Sequence, residues 1–407
     1  MQAEEPRISR SRRWFLRAAA LFGGSLAALK PSSSPAADLP NQLGAPISGY
    51  GNRSRFEKAV RFLGNPRTPQ ATASFTPLRE SQGIITASSL HFERHHSGVP
   101  DLDPAVHTLT IHGLVNRQLV FTLDELKRFP SVSRIFFIEC SGNTSSEWRG
   151  ASAPEVQRSH GLTSCSEWTG VWLSTLLREC AVTPAATWIL AEGADAARVA
   201  RSIPIAKATK DVLVAYAQNG EPLRPEQGYP LRLIVPGCEG ITNIKWLHRV
   251  KAIDQPAMTR WETSKYTDLL ADGTSRIFTL EMEAKSIITR PSGGDRLPAR
   301  GVYEISGLAW SGRGSIARVE ITTDGGATWQ AAELQTPVVP LAHTRFRMSW
   351  NWDGREALIA SRAADDTGYL QPTLTDLVKA RGLNSGYHNN AILPWKISAT
   401  GVVSNGL

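Results

Sequence analysis

A single cysteine, Cys140, follows a run of residues that could deliver its thiol to a binding site. Residues 134–143 read RIFFIECSGN, so an apolar segment leads to the cysteine and then to a Ser, Gly and Asn turn. Ile and Phe favour a buried strand, and the glycine lets the backbone approach a bound group closely. A thiolate here could bind a metal or react with a substrate. A buried core cysteine is the alternative that this run leaves open.

Basic side chains recur beside glycine and proline turns. Residues 94–96 (RHH) precede a Gly-Val-Pro turn, Arg201 and Arg232 lie close to prolines, and Lys245 follows a Gly-Ile-Thr-Asn segment. Cations beside exposed backbone N–H groups bind phosphates and oxyanions. Each motif alone is a weak signal, and a cluster such as RHH is more often a solvated surface turn than a binding site. Together they predict a pocket for a small anion, and the modest net charge of +8 does not require a nucleic-acid partner.

Two patterns of secondary structure must position these residues. Between residues 84 and 256, short β-rich runs mix with helical runs without regular alternation, which favours an α+β domain. From residue 300 onwards the runs are strand-like, and residues 324–326 (DGG) predict a tight hairpin turn, so we expect an all-β immunoglobulin-like sandwich. The sequence contains no GxGxxG or P-loop motif for binding a nucleotide.

The N-terminal residues carry an export pattern. Residues 11–16 (SRRWFL) precede an apolar stretch over residues 18–29 and then small residues with serine and proline. This pattern predicts a twin-arginine signal peptide over residues 1–37 and a periplasmic protein; the stretch is too short for a membrane span. The four cysteines show no spacing for haem attachment, an iron–sulfur cluster or zinc, and any disulfide pairing among them stays open.

Taken together, the motifs resemble the sulfite oxidase family of molybdopterin oxidoreductases, from about residue 80 to the C-terminus. The resemblance implies a molybdenum-molybdopterin cofactor and a redox enzyme of sulfur compounds. The matching segments are RHHSGVP (94–100), ECSGN (139–143), EWTG (167–170), EGAD (192–195), NGEPL (219–223), GYPLR (228–232), VPG (235–237), IKWL (244–247) and DGGATW (324–329).

The resemblance also implies a domain order and residue roles. An N-terminal extension (38–83) would precede a molybdopterin-binding catalytic domain (84–284) and a β-sandwich dimerisation domain (285–407). Cys140 would ligate molybdenum through its soft thiolate. The catalytic residues would be Arg94, Tyr266 and Arg381, with the arginines holding an anionic substrate. The cofactor-binding residues would be Phe92, Glu93, Arg94, His95, His96, Asp195, Arg232, Asn243, Ile244 and Lys245.

Departures from the family pattern indicate a branch within it. Thr144 and Ser145 stand where the animal and plant sulfite oxidases have paired arginines, and Gln227 stands where they carry a pterin-contacting histidine. Residues 162–171 and 386–392 resemble the Sox-pathway sulfane dehydrogenases of this family. That branch implies oxidation of sulfane sulfur on a carrier protein, with oxygen from water and electrons passed to a c-type cytochrome subunit.

Other functions remain open at this point. Oxidation of free sulfite by a periplasmic sulfite dehydrogenase is the nearest alternative. A reductase of oxidised methionine on the same scaffold is more distant, and a cofactor-free β-sandwich binding protein is the alternative from another class.

Overall fold

The computed structural model describes residues 43–66, 68–270 and 272–407. The predicted signal peptide lies outside the described residues. Residues 58–407 form one compact unit, and the described part of a separate N-terminal unit, residues 43–57, contains turns and bends. None of the helices in the described ranges is long and apolar enough to cross a lipid bilayer.

The N-terminal portion of the compact unit contains fifteen strands within the described residues. They are β1 (Phe62–Leu63), β2 (Ala73–Phe75), β3 (Glu93–Arg94), β4 (Thr108–Gly113), β5 (Leu119–Thr122), β6 (Val132–Glu139), β7 (Thr163–Trp172), β8 (Trp188–Gly193), β9 (Ala200–Pro204), β10 (Leu213–Gln218), β11 (Glu221–Pro222), β12 (Arg232–Ile234), β13 (Leu247–Ile253), β14 (Asp268–Leu269) and β15 (Ser275–Arg276).

The C-terminal portion contains nine further strands. They are β16 (Lys285–Arg290), β17 (Gly301–Trp310), β18 (Ile316–Thr322), β19 (Gln330–Ala331), β20 (Glu333–Leu334), β21 (Thr344–Trp352), β22 (Ala357–Asp365), β23 (Trp395–Ile397) and β24 (Val403–Asn405).

The described α-helices are short and connect the strands. They are α1 (Leu123–Leu126), α2 (Val156–His160), α3 (Leu173–Glu179), α4 (Ile205–Lys210), α5 (Arg260–Thr263) and α6 (Leu374–Arg381), with single 3₁₀ turns at Leu78–Glu80, Ser88–Leu90, Ser145–Arg149, Pro225–Gln227 and Gly240–Thr242.

Two five-stranded sheets build the N-terminal portion. One has the order β11-β10-β7-β6, with β12 also paired to β10, and the other has the order β5-β4-β13-β8-β9. Strands β4 and β13 pair in parallel, while their other neighbours run antiparallel. Such a mixed sheet with irregularly placed helices is an α+β arrangement. The predicted fold class of this portion is therefore confirmed.

The C-terminal portion is a sandwich of two antiparallel sheets, ordered β16-β17-β21-β20 and β19-β18-β22-β23-β24. Trp310, Phe346 and Trp395 fill the space between them. The same core includes Phe137 of β6, so the sandwich packs directly against the strand that leads to Cys140. The predicted sandwich is confirmed. Both glycines of the DGG segment have the positive φ expected of a turn (74° and 98°), but the tight hairpin predicted there is wrong. Ile321 of β18 pairs with Gln330 of β19, so a longer loop connects the two strands.

The two strands before position 84, β1 and β2, form a small sheet with β3, in the order β1-β2-β3. Ala73 of β2 pairs with Arg94 of β3, and the N–H group of His95 donates to the Thr72 carbonyl at 3.0 Å. The predicted N-terminal extension thus holds the loop that carries the RHH motif.

Candidate active site

Cys140 directly follows β6, in a turn that hydrogen bonds from its neighbours hold closed. Its N–H group donates to the Leu162 carbonyl at 2.9 Å, and the Asn143 N–H group donates back to the Cys140 carbonyl at 2.8 Å. The Asn143 amide also bonds Glu139 and the carbonyl of His160, which locks the turn from inside. Burial raises the pKa of the Cys140 thiol, and a hydrogen bond from the Gly142 N–H opposes that rise.

The thiol opens into a pocket whose empty space, counted together with the open solvent at its mouth, is about 650 Å³. Its lining includes a glycine, several aromatic side chains and several cationic side chains. The lining residues are Phe92, Arg94, His95, His96, Cys140, Asp195, Val199, Gln227, Arg232, Gly240, Ile241, Asn243, Ile244, Lys245, Trp246 and Tyr266.

A chain of polar groups connects this pocket to the surface. The Lys245 ammonium group contacts His95 Nδ1 at 2.7 Å, His95 Nε2 contacts Glu93 Oε2 at 2.8 Å, and Glu93 pairs with Arg61. Glu93 does not line the pocket and reaches it only through His95. Burial lowers the pKa of Lys245 well below its usual value, with the nearby Arg232 as the next cause. An anion in the pocket would restore the charged form of this lysine.

Arg232 is a buried cation with spare hydrogen-bonding capacity. Its guanidinium donates to the carbonyl and the Oε1 atom of Gln227, both at 3.0 Å, and lies 5.1 Å from the Trp168 ring centroid. No carboxylate within the described ranges forms an ion pair with it, and its Nε–H group has no partner there. Burial lowers the pKa of Arg232 to about 9. A bound anion would satisfy both the charge and the free N–H group.

The remaining predicted cofactor residues shape the pocket wall. Asp195 accepts from the Ser97 hydroxyl at 3.1 Å and from the Val199 N–H group at 3.3 Å. The Asn243 side chain accepts from the Val235 N–H group at 2.8 Å, so it holds the turn that presents Ile244. Their contacts to backbone and neighbouring loops keep these walls in place.

Tyr266 forms the other side of the pocket, next to the RHH loop. Its hydroxyl lies 2.8 Å from His96 Nε2, and its ring stacks on Tyr387 at 5.1 Å between centroids. Burial raises the pKa of Tyr266 well above its usual value, so the phenol stays protonated. Burial, followed by the charge of Arg94, lowers the pKa of His96 to about 3. His96 is therefore a neutral imidazole, and its Nε2 atom shares a hydrogen bond with the Tyr266 hydroxyl.

Three charged or polar residues lie behind Tyr266. Glu239 and His388 had no assigned role in the sequence, and Arg201, which was expected to help form the anion pocket, does not line it. Arg201, in β9, pairs with Glu239, and its guanidinium lies 5.8 Å from the Tyr266 ring centroid. Glu239 also faces His388 Nε2 at 3.3 Å. All three are buried. The sequence around Arg201 shows only a basic residue near a proline. Its partner Glu239 lies 38 residues further along the chain, so the pair is not apparent from local sequence.

The structure does not bring Arg381 to the pocket. This residue ends α6, is buried, and pairs with Glu283 at 2.5 Å. The other predicted site residues gather in the pocket, apart from Glu93, which acts through His95. Cys165, Cys180 and Cys238 are buried and unpaired, as is Cys140, so the described cysteines form no disulfide.

Two family models match the chain. Residues 96–261 match the oxidoreductase molybdopterin binding domain, and residues 276–394 match the Mo-co oxidoreductase dimerisation domain. Mitochondrial sulfite oxidase of Mus musculus is 31% identical over 344 residues, covering 76% of this chain and 61% of that protein. Nitrate reductase [NAD(P)H] of Hordeum vulgare is 32% identical over 308 residues, covering 68% of this chain and 34% of that protein.

A solved structure extends the similarity over almost the whole chain. The crystal structure of the sulfane dehydrogenase SoxCD from Paracoccus pantotrophus superposes with a TM-score of 0.89 at 42% identity, covering 94% of this chain and all of that one. The chain belongs to the sulfite oxidase family of molybdopterin oxidoreductases. It spans about three fifths (61%) of the length of the mouse sulfite oxidase. The family's cofactor is molybdenum-molybdopterin.

The pocket fits this cofactor. The thiol of Cys140 is a soft ligand for a redox metal, and it opens into the same space as the free Nε–H group of Arg232. Lys245 and His95 add positive or donor groups where a phosphate could lie. With the cofactor bound, Cys140 would hold the metal, and Arg232 with Lys245 would hold the anionic end of the pterin.

Proposed function

We propose that this sulfite oxidase family member oxidises sulfane sulfur held on a carrier protein, taking oxygen from water and passing electrons to a separate c-type cytochrome. The observation that carries the proposal is that the thiol of Cys140, a residue type suited to ligate molybdenum, lines one pocket together with Arg94 and Tyr266. The 42% identity to a protein described as a sulfane dehydrogenase supports the choice of substrate.

The reaction balances with water as the oxygen source. Each step converts a sulfur centre and one water molecule into an S–O product, two protons and two electrons. When bound, the molybdenum cofactor supplies two-electron redox chemistry coupled to oxygen transfer. The protein must hold the sulfur close to the Cys140 end of the pocket and must carry away protons and electrons.

Arg94 is the residue best placed to hold an oxidised sulfur group. It lines the pocket beside Cys140, and among the described residues its guanidinium bonds only the adjacent His95 carbonyl. Among the described residues no carboxylate pairs with it, so its charge is available to a sulfur oxyanion as the product forms. A guanidinium can bind two oxygens of such a group at once.

Tyr266 and His96 would orient the substrate on the opposite side. The protonated phenol of Tyr266 can donate one hydrogen bond, and its hydroxyl lies 2.8 Å from Nε2 of neutral His96. When substrate enters, the hydroxyl can turn to donate to a sulfur-bound oxygen. The stacked ring of Tyr387 limits how far Tyr266 can move, so the donor stays near its place.

The charges near Cys140 favour carrier-bound sulfane over free sulfite. Thr144 and Ser145 do not line the pocket, and the Thr144 hydroxyl donates to the Asn389 carbonyl at 3.0 Å. The buried charge of Arg201 is neutralised by Glu239. Arg94 is then the main uncommitted cation near the thiol, which suits a sulfane sulfur better than a small dianion.

Free sulfite is the second candidate, since mouse sulfite oxidase covers 76% of this chain. Stopped-flow reduction of a c-type cytochrome separates the two. Persulfidated carrier peptide should reduce the cytochrome faster than sulfite at equal concentration, and the Cys140→Ser variant should be inactive with both. Rapid turnover with sulfite and none with the persulfide would replace the proposal with the sulfite activity.

The partners and location follow from the same proposal. We propose that residues 285–407 form a homodimer, which the matched dimerisation domain supports. The sequence has no CxxCH haem-attachment motif, so electrons would leave to another subunit. We also propose periplasmic export by the twin-arginine route. Light scattering tests the dimer, and cell fractionation of a variant with Lys at both Arg12 and Arg13 tests export.

A further inference from the structure

The carboxylate next to Cys140 belongs to a buried cluster outside the pocket. Glu139 ends β6, is 1% exposed, and does not line the pocket. Its Oε1 atom accepts from Lys285 Nζ at 2.9 Å and its Oε2 atom accepts from the Trp310 indole N–H at 2.7 Å. Lys285 and Trp310 come from β16 and β17 of the sandwich. The residue beside the metal ligand is therefore held by the second structural portion.

Lys285 contacts both sides of the Cys140 turn. Besides Glu139, its ammonium group donates to the hydroxyl of Thr144. Thr144 adopts a left-handed conformation, with φ 65°, at the start of the 3₁₀ turn that follows. One buried ammonium group thus bridges the residue before Cys140 and the residue that ends its turn. Hydrogen bonds from a single donor group at both ends fix the length and direction of a turn.

Lys285 brings a buried positive charge to this turn from far along the chain. It lies on β16, 141 residues after Thr144, whose hydroxyl it contacts. Both Lys285 and Glu139 are nearly inaccessible to solvent, at 1% exposure each. Removing one of them leaves a buried charge without its partner.

We propose that Lys285 is a positioning residue for the metal ligand: by bonding Glu139 and Thr144 together, it directs the Cys140 thiol into the pocket. This role goes beyond the proposed substrate, and it rests on the assignment of Cys140 as the ligand. The β-sandwich is then a part of the active site as well as a dimerisation domain.

The test uses the full-length chain prepared without cofactor, in which iodoacetamide can reach Cys140. Cys165, Cys180 and Cys238 are at most 3% exposed and serve as an internal reference in mass spectrometry. Lys285→Met should accelerate alkylation of Cys140 by about tenfold or more, because the turn opens locally. Arg290→Met is the matched control, since Arg290 lies on the same strand in an exposed ion pair with Glu80.

A double variant, Glu139→Gln with Lys285→Met, separates positioning from charge balance. It removes both buried charges, so its denaturation midpoint should recover towards that of the wild type. We expect Cys140 alkylation in it to stay about tenfold fast, because the bridge to Thr144 is still missing. Recovery of both properties would overturn the proposal, as would a Lys285→Met rate equal to that of Arg290→Met. If Lys285→Met does not fold, the denaturation midpoint and the Cys140 alkylation rate of the double variant are sufficient to test the proposal.

These readings are independent of the substrate. Alkylation is measured without cofactor or sulfur compound, so a negative result here leaves the proposed sulfane oxidation standing. Failure of the enzymatic test would equally leave the alkylation result intact. Lys285→Arg completes the set, because a guanidinium can still bond both Glu139 and Thr144 and should return the alkylation rate to within about threefold of the wild type.

Discussion

Tyr266→Phe removes one hydroxyl from the candidate active site and leaves the ring in place. The ring contacts to Tyr387 and Arg201 do not use the hydroxyl, so they should persist. What is lost is the 2.8 Å hydrogen bond to His96 and the donor that we assign to the substrate. The variant therefore tests the role of the hydroxyl rather than the packing of the residue.

Loss of the Tyr266 hydroxyl should have two effects, one on the unfolding free energy and one on kcat/KM. Loss of a neutral hydrogen bond costs about 0.5 to 1.5 kcal/mol of unfolding free energy. A hydrogen bond to a charged oxygen is worth about 1.5 to 3 kcal/mol, which converts to a loss of about 10- to 150-fold in kcat/KM. The phenol remains protonated over the working pH range, so no alkaline limb of the pH profile should come from Tyr266.

Tyr369→Phe is the matched control. Its hydroxyl accepts from Asn390 at 3.1 Å and does not line the pocket. Denaturant unfolding and steady-state kinetics with ferricyanide as electron acceptor compare the two variants. Both should lose similar stability, and Tyr266→Phe alone should lose activity. Equal kcat/KM in the two variants would refute the assignment of Tyr266 to the substrate.

Three further outcomes follow from burial and pairing. At pH 8 and without cofactor, iodoacetamide should modify Cys140 before the others, because its thiol lines the pocket while Cys165, Cys180 and Cys238 are at most 3% exposed. Peptide mapping by mass spectrometry would contradict this if one of those three reacted first. Burial lowers the pKa of His343 to about 3. Its contribution to the free energy of unfolding is therefore present above pH 6.5 and falls by about 1.4 kcal/mol per pH unit from there towards pH 3. A pH dependence of the unfolding free energy that is the same in His343→Gln as in the wild type would contradict this. Arg381→Gln should lower the unfolding free energy by about 3 kcal/mol and leave KM unchanged, because the arginine pairs with Glu283 outside the pocket; a tenfold rise in KM would instead place it at the substrate.

Local patterns were sufficient to predict much of the site. The apolar run before Cys140 predicted a buried strand with the thiol at its end, and β6 ends at Glu139. The RHH motif and the segment around Lys245 were read as one anion pocket, and they meet through a contact of 2.7 Å. These predictions succeed because a strand end and a glycine turn are decided by neighbours in the chain.

Residues that act through distant partners were not predictable in this way. Lys285 reads as an ordinary strand residue, and only the fold places it against Glu139. Arg201 looks like a turn cation, but β9 buries it against Glu239. Arg381 was expected at the site because its motif matches the family, but it lies at the end of α6 and pairs there with Glu283. Burial and pairing across the chain decide these three cases.

The account depends most directly on a bond between the Cys140 sulfur and molybdenum. X-ray absorption at the molybdenum edge of the active enzyme measures the number of sulfur neighbours, and Cys140→Ser provides the comparison. We predict one sulfur neighbour fewer in the variant, together with loss of turnover. The same sulfur count in both proteins would show that the thiol is not a ligand and would contradict the account.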